Sequence, residues 1–191
     1  MKLTKLFLLT ISLWLITTSG TLLTRKFPSF LLHDAKGSTH TNKIFERKKT
    51  MVVVNYLGCY PAMKLMKDLD SLASTIDTSK HQIIVMLENS EKQIRQFYDT
   101  AASGPSSYRK DFGIDGTEYL ILAQCSIRKL RRSPKKQTSC NPISKKLFTK
   151  ASPTLYLIDE NGKIIKKSRG YIALSPMNER IKWLNEFVDT N

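Results

Sequence analysis

The 191-residue sequence has few of the residues that bind metals. It contains three histidines, and His33, His40 and His81 are not spaced with cysteines or carboxylates in a metal-binding pattern. We also find no phosphate-binding loop, no serine triad and no cofactor fingerprint. The sequence therefore predicts a protein without a metal or a cofactor, and it argues against nucleotide-dependent enzymes and serine hydrolases.

Acidic residues are also scarce, with 16 aspartates and glutamates against 31 lysines and arginines, which gives a net charge of +15 at pH 7. A surplus of this size is typical of proteins that bind nucleic acid or an anionic membrane surface, and it also serves solubility alone. Hydrophobic residues make up 41% of the chain, near the globular norm. Because we find neither internal repeats nor a second domain boundary, we expect one domain with a packed core.

The apolar run at the N-terminus, residues 6–16, is too short and too interrupted for a comfortable membrane span. Two lysines precede it and the small residues 17–20 follow it, which is the order of a signal peptide. We predict a signal peptide over residues 1–20 and a domain over residues 21–191, in a periplasmic or secreted protein. An uncleaved membrane anchor is the alternative. Export argues against nucleic acid as a partner and places the cysteines in an oxidising compartment.

The chain is organised around residues 51–76. The first part, MVVVNY, is a run of β-branched and apolar residues typical of a strand buried on both faces. From Leu65 onward, apolar residues follow the i, i+3, i+4, i+7 spacing of an amphipathic helix. Cys59 lies between strand and helix, and Pro61 suits the first helical turn. Because unpaired N–H groups and the helix dipole favour a thiolate there, Cys59 is a candidate nucleophile; a buried, inert cysteine is the alternative.

The other segments alternate between strand and helix patterns. Further strands are predicted at residues 27–32, 81–87, 119–123, 154–158 and 163–167. Further helices are predicted from Ser90, from Asn141 to Phe148, and from Pro176 to Val188. This alternation predicts an α/β fold with a central mixed sheet and helices on both faces.

Four segments resemble the thioredoxin-like superfamily. Cys59-Tyr60-Pro61-Ala62 resembles the Cys-Gly-Pro-Cys active site of thioredoxins, with alanine in place of the second cysteine. Ser152-Pro153-Thr154 resembles the cis-proline loop, and residues 157–165 resemble the hairpin that follows it. Residues 27–37 resemble the N-terminal hairpin of the exported TlpA/ResA-like branch, which is related to peroxiredoxins. Together these segments span nearly the whole chain after the predicted signal peptide.

The resemblance implies a thioredoxin-like fold and thiol–disulfide exchange with cysteine-containing proteins or small thiols. It implies that Cys59 attacks, that Pro61 completes the active site, and that Pro153 in cis holds its loop against Cys59. The residues expected to contact a substrate are Tyr60, Ser152 and Thr154.

The sequence departs from this family beside the candidate nucleophile. Ala62 removes the usual resolving thiol, and Gly58 replaces the aromatic residue that usually precedes the cysteine. The threonine and proline of peroxiredoxins are absent upstream, which argues against peroxidase activity. Two functions remain: a monothiol exchange protein that depends on Cys59, or a redox-inactive binding or chaperone module that uses the groove beside Pro153 and the basic loop.

The two remaining cysteines, Cys125 and Cys140, bound a basic insertion at residues 125–140 that contains no acid. Its basic residues are Arg128, Lys129, Arg131, Arg132, Lys135 and Lys136. Because such a segment repels itself, we predict a disulfide that closes it; the alternative is that one of these cysteines resolves Cys59. The charge favours an anionic surface or an acidic partner, with a solvated loop as the alternative. The insertion contains no aromatic residue on which a base could stack, which argues further against nucleic acid as a partner.

Overall fold

The computed structural model describes residues 25–99, 108–129, 136–140, 143–147 and 151–170. The predicted signal peptide and the predicted helix that begins at Pro176 lie outside these residues. Within the described ranges, no helix is long and apolar enough to cross a membrane.

Eight strands and four short or medium helices make up the described part of the chain. The strands are β1 (Leu31–Asp34), β2 (Thr39–Thr41), β3 (Lys49–Asn55), β4 (His81–Ser90), β5 (Leu120–Lys129), β6 (Lys136–Cys140), β7 (Thr154–Ile158) and β8 (Ile164–Arg169). The helices are α1 (Tyr60–Ala73), α2 (Glu91–Tyr98), α3 (Tyr108–Asp111) and α4 (Ile143–Lys146), with a 3-10 helix at Asn42–Phe45.

The strands form one mixed sheet in the order β2-β1-β5-β4-β3-β7-β8, and β6 pairs with β5 outside that path. The neighbours β3, β4 and β5 are parallel, whereas β7 is antiparallel to β3 and β1 is antiparallel to β5. The α/β class and the mixed sheet predicted from the sequence are confirmed. The parallel strands end at one edge of the sheet, and the segment with Cys59 leaves β3 at that edge.

Both faces of the sheet are covered. On one face, Met51 and Val53 of β3 pack in a core with Leu69 of α1 and Phe97 of α2. On the other face, residues of the N-terminal segment, of the 3-10 helix and of α4 form a second core with the strands; it includes Phe27, Phe45, Val52, Val54, Ile143 and Tyr156. Burial on both faces explains why the β3 sequence is an unbroken apolar run and does not alternate with polar residues.

The predicted first strand at residues 27–32 begins later than expected, at Leu31. Phe27 makes edge-to-face contacts with Phe30, Phe45 and Tyr156, with ring centroids 5.4–6.1 Å apart. The apolar spacing of this segment therefore reflects side-chain packing onto the sheet, with strand pairing only at its end.

The basic insertion also differs from the expected loop. The predicted strand at residues 119–123 continues as β5 to Lys129, and β6 returns beside it as an antiparallel partner. A strand pattern was hidden here because charged residues are uncommon in strands, whereas pairing between β5 and β6 satisfies the backbone regardless of side-chain charge.

Candidate active site

Cys59 is the N-cap of α1, four residues beyond the end of β3. Its backbone is extended, with φ −94° and ψ 111°, and its carbonyl accepts the N–H groups of Ala62 at 3.0 Å and Met63 at 3.1 Å. Pro61 occupies the first turn, where its missing N–H leaves no helical hydrogen bond unmade. The Cys59 thiol is free and half-buried, so a partner can reach it.

Gly58 makes the turn that delivers Cys59. The Cys59 N–H donates to the Tyr56 carbonyl at 3.3 Å, and this tight turn holds Gly58 at φ +128°. A Cβ at this position would lie 3.0 Å from Cε1 of Tyr56. Residue 58 is therefore glycine because the backbone occupies a region that side chains avoid and because Tyr56 fills the adjacent space.

The loop that contains Pro153 lies against Cys59. The Ser152–Pro153 peptide bond is cis, as the resemblance implied, and the Cys59 Sγ lies 3.6 Å from the Ser152 carbonyl oxygen that accepts its hydrogen bond. Ser152 is exposed and Pro153 is buried. Thr154 is fully buried, and its hydroxyl donates to the Ala151 carbonyl at 2.7 Å, so its side chain supports the loop from below the surface.

Asn55 connects the three segments around Cys59, and sequence reasoning missed it. This side chain is 1% exposed at the end of β3. Its Oδ1 accepts the N–H of Tyr56 at 2.7 Å and the hydroxyl of Ser152 at 3.2 Å, while its Nδ2 donates to the Ala62 carbonyl at 3.5 Å. The only sequence signal was a polar residue that closes an apolar strand, which became meaningful once its partners were visible.

Replacing Asn55 by leucine should lower both stability and the reactivity of Cys59. The change removes the acceptor of two hydrogen bonds, and we expect a loss of about 2 kcal/mol in the free energy of unfolding. Ser152→Ala removes only one of those bonds and should cost about 1 kcal/mol. Urea unfolding measures both. Equal losses in the two variants would contradict the role of Asn55 as the link between these segments.

Asn89 supports the same turn from β4. The cap of the following helix, α2, is its neighbour Ser90. Ser90 forms a capping box with Gln93. Asn89, which is 2% exposed, instead accepts the Leu57 N–H at 2.8 Å. The buried side-chain carbonyl of Asn89 therefore holds the turn before Cys59.

The similarity of this chain to known proteins lies in its structure. No protein-family model matches the sequence, and no curated protein matches it. The structure is similar to the thioredoxin domain of a thiol-disulfide oxidoreductase from Bacteroides vulgatus, with a TM-score of 0.57, 14% identity and coverage of 89% of this chain and 100% of that chain. The chain has a thioredoxin-like fold.

Two further neighbours show the same thioredoxin-like architecture. A thiol-disulfide isomerase from Corynebacterium glutamicum has a TM-score of 0.53 and 14% identity, and the match covers 88% of this chain and 99% of that one. An exposed lipoprotein thioredoxin from Streptococcus pneumoniae has a TM-score of 0.52 and 16% identity, with coverage of 83% and 99%.

Two tyrosines flank Cys59 on the surface of this thioredoxin-like fold. Tyr60, predicted to contact a substrate, is 59% exposed, and Tyr56 is 47% exposed. The Tyr60 ring meets Phe112 edge to face at 5.2 Å, and the Lys64 ammonium lies 4.8 Å from its centroid. These contacts hold the Tyr60 ring beside the thiol, where it forms an exposed aromatic surface.

The other two cysteines belong to the β5–β6 strand pair. Cys125 is 5% exposed and disulfide-bonded, whereas Cys59 is a free thiol. Cys125 and Cys140 are directly opposite each other in the β5–β6 register. With three cysteines in the chain, we propose that Cys140 is the partner of Cys125. This arrangement favours a structural staple over the alternative in which one of them resolves Cys59.

Only some of the basic residues of the insertion lie in the described part of the chain. Arg128 and Lys129 belong to β5 and Lys136 to β6, with Lys129 and Lys136 paired in register. Arg131, Arg132 and Lys135 lie outside the described residues.

A cavity of about 560 Å³ lies at the other end of β5, between the turn after β1 and α2. Asp34, Lys36, Arg95 and Tyr98 are among its lining residues, and Cys59 is not. Burial raises the pKa of Tyr98 to about 12, and its hydroxyl donates to the Gly116 carbonyl at 2.9 Å. This Tyr98 hydroxyl therefore stays protonated and serves packing of α2. Within the described residues, no group of three metal-ligating side chains is gathered.

Proposed function

We propose that this chain carries out thiol–disulfide exchange with cysteine-containing partners and uses Cys59 as its single nucleophile. One observation supports the proposal most directly: a free, half-buried thiol lies at the start of α1, 3.6 Å from the carbonyl of the cis-proline loop. The neighbours named above as a thiol-disulfide oxidoreductase, a thiol-disulfide isomerase and a thioredoxin share this fold and support the same chemistry.

The proposed reaction starts when Cys59 loses its proton to solvent. The thiolate attacks one sulfur of a partner disulfide, a Cys59–partner disulfide forms, and the other partner sulfur leaves as a thiolate that takes up a proton. The described active site offers no second thiol, because the position one turn along α1 is Ala62. An external thiol must therefore attack the mixed disulfide and release Cys59. Until it does, the mixed disulfide persists.

We also propose that the chain is exported. The N-terminal order of two lysines, an apolar run and small residues supports a signal peptide, with cleavage near Gly20. One structural neighbour is an exposed lipoprotein thioredoxin, which agrees with an exported setting for this fold. An oxidising compartment would also preserve the disulfide of Cys125.

A second candidate function is a redox-inactive binding or chaperone module. Ala62 favours it, because a protein that lacks the resolving thiol can keep the partner groove while it loses turnover. In this alternative, the groove beside Pro153 and the basic insertion would hold a polypeptide without any covalent step.

Replacing Cys59 by serine separates the two functions. After incubation with oxidised glutathione, we expect the wild-type chain to gain one glutathione at Cys59, because a thiolate attacks the small disulfide. Cys59→Ser should gain none, since a serine hydroxyl cannot form a disulfide. Mass spectrometry of peptides, alkylated before any reduction, reads the site.

Cys59→Ser also tests the second candidate function, the redox-inactive binding or chaperone module. If the wild-type chain forms no adduct, and if it and Cys59→Ser suppress aggregation of an unfolded protein equally well, the exchange function is wrong and the binding module is supported. Unfolding midpoints of the two proteins should agree, which shows that the serine leaves the fold unchanged.

A further inference from the structure

The exposed face of α1 next to the thiol is aromatic and cationic. Tyr60, Lys64 and Lys67 are exposed and follow one another at i, i+4 and i+7, so they line one side of the helix that begins at Cys59. Lys67 Nζ lies close to Gly113, in the loop that also carries the Phe112 ring beside Tyr60. These ammonium groups therefore lie on the same helix as the thiol, one to two turns from it.

The carboxylates in this region do not neutralise that face. The first turn of α1 contains no acidic residue. Asp70 accepts two backbone N–H groups at 2.8 Å each, and Asp68 and Asp111 already interact within the fold. Glu88, at the end of β4, is half-buried. Lys64 and Lys67 are therefore exposed to an outside anion, whereas the nearby carboxylates are mostly engaged within the fold or half-buried.

The β5–β6 ribbon leaves the sheet at the edge where Cys59 lies, and its sequence is basic. Asn55 of β3, Leu87 of β4 and Ala123 of β5 are level in the register. Beyond that level β5 continues for six residues, so Lys129 lies about 20 Å from Ala123 at the usual rise of a strand. Because β5 is two strands away from β3, the ribbon is displaced by about 10 Å from β3, the strand that leads to Cys59. Arg128, Lys129 and Lys136 occupy its described strands.

From this charge pattern we propose that the partner of Cys59 is a protein segment with acidic residues beside its cysteine. The exposed face of α1 would hold acidic side chains close to the reacting sulfurs, and the ribbon would hold acidic residues further along the segment. This inference rests on the proposed function, because it names the partner class of the same thiol. A protein segment is favoured over a lipid surface since Lys64 and Lys67 lie on the helix that begins at the thiol, and a lipid offers no sulfur for it to attack.

The test uses three cysteine peptides that differ only in flanking residues: glutamate, glutamine or lysine. Each cysteine is activated as a mixed disulfide with thionitrobenzoate. Attack of the Cys59 thiolate on the peptide sulfur forms the Cys59–peptide disulfide and releases coloured thionitrobenzoate, whose absorbance gives the rate. At low salt we expect the glutamate peptide to react on the order of tenfold faster than the glutamine peptide, and the lysine peptide to react slowest. The differences should shrink as salt is added.

Matched variants locate the surface. Lys64→Glu with Lys67→Glu should abolish or reverse the preference for the glutamate peptide, and replacing Arg128, Lys129 and Lys136 by glutamine should weaken it. The control, Lys36→Glu with Lys80→Glu, makes the same change of net charge on exposed lysines at the opposite end of the sheet, where β1 ends beside Leu122 and β4 begins. This control should keep the preference, because steering depends on where the charge lies.

Each contrary result has a distinct meaning. Equal rates with all three peptides would overturn the acidic partner and leave exchange at Cys59 intact, whereas no reaction with any peptide would contradict the proposed function itself. Loss of the preference in the control as readily as in the α1 variant would show a net-charge effect and overturn the assigned surface. Binding to phosphatidylserine vesicles, in a protein with no peptide preference, would overturn the proposal in favour of a membrane surface.

Discussion

Replacing Ala62 by cysteine should convert the persistent mixed disulfide at Cys59 into a short-lived intermediate. Ala62 is fully buried, and its N–H donates to the Cys59 carbonyl at 3.0 Å, so it lies one turn along α1 from the thiol. The introduced thiolate would attack the Cys59 sulfur, form an internal disulfide and release the bound thiol. We expect release on the order of a thousandfold faster than with an external thiol at about 1 mM, because an oriented intramolecular thiol has a much higher effective concentration.

Two variants control for effects of packing. Ala62→Ser adds an atom of similar size without a thiol, so it should leave the mixed disulfide as persistent as in the wild-type chain. Ser74→Cys adds a thiol at the far, exposed end of α1 and should also leave it unchanged. The measurement is glutathione released from the isolated mixed disulfide over time. A lifetime in Ala62→Cys as long as in Ala62→Ser would show that position 62 does not face the Cys59 sulfur.

Removing the proposed bond between Cys125 and Cys140 should lower the free energy of unfolding by about 3 kcal/mol, the value for a closed loop of about fifteen residues. Without the bond, the unfolded insertion gains conformations while the β5–β6 pairing stays as it is. Cys125→Ala, Cys140→Ala and the double variant are compared by denaturant unfolding, all in the Cys59→Ser background so that no new disulfide can form.

The three losses should be nearly equal, since each variant removes the same bond. Reduction of the parent protein with excess dithiothreitol should produce a similar loss and should have no effect on the double variant. If Cys125→Ala is costly and Cys140→Ala is harmless, Cys140 is not the partner of Cys125. The basic insertion would then be held by strand pairing alone.

The element order could be predicted because each element carries a local signal. Val52 and Val54 belong to a continuous apolar run, which strands buried on both faces require. Residues 157–165 were predicted to form a hairpin, and the structure makes its turn with Gly162 at φ +76°. Cys59 and Pro61 marked the start of α1 in the same way. Such patterns depend on neighbours in sequence, so they are visible without the fold.

The features that sequence reasoning missed depend on residues far apart in the chain. Asn55 acts through Ser152, 97 residues away, and Asn89 acts through Leu57, 32 residues away. A buried amide has no periodic pattern, and its value comes only from the partners that satisfy it. The extension of β5 was missed for a related reason, because only the return of β6 beside it makes a basic segment a strand.

By itself, the sequence determined the α/β class, the place of Cys59 between β3 and α1, and the absence of a second thiol at Ala62. Only the tertiary structure decided that Asn55 and Asn89 hold the turns around Cys59, and that the basic ribbon leaves the sheet at the same edge. The physical reason is the separation in sequence of the residues that interact. Backbone conformation and burial follow from local residue patterns, whereas hydrogen bonds and charges between distant segments exist only after the sheet brings those segments together.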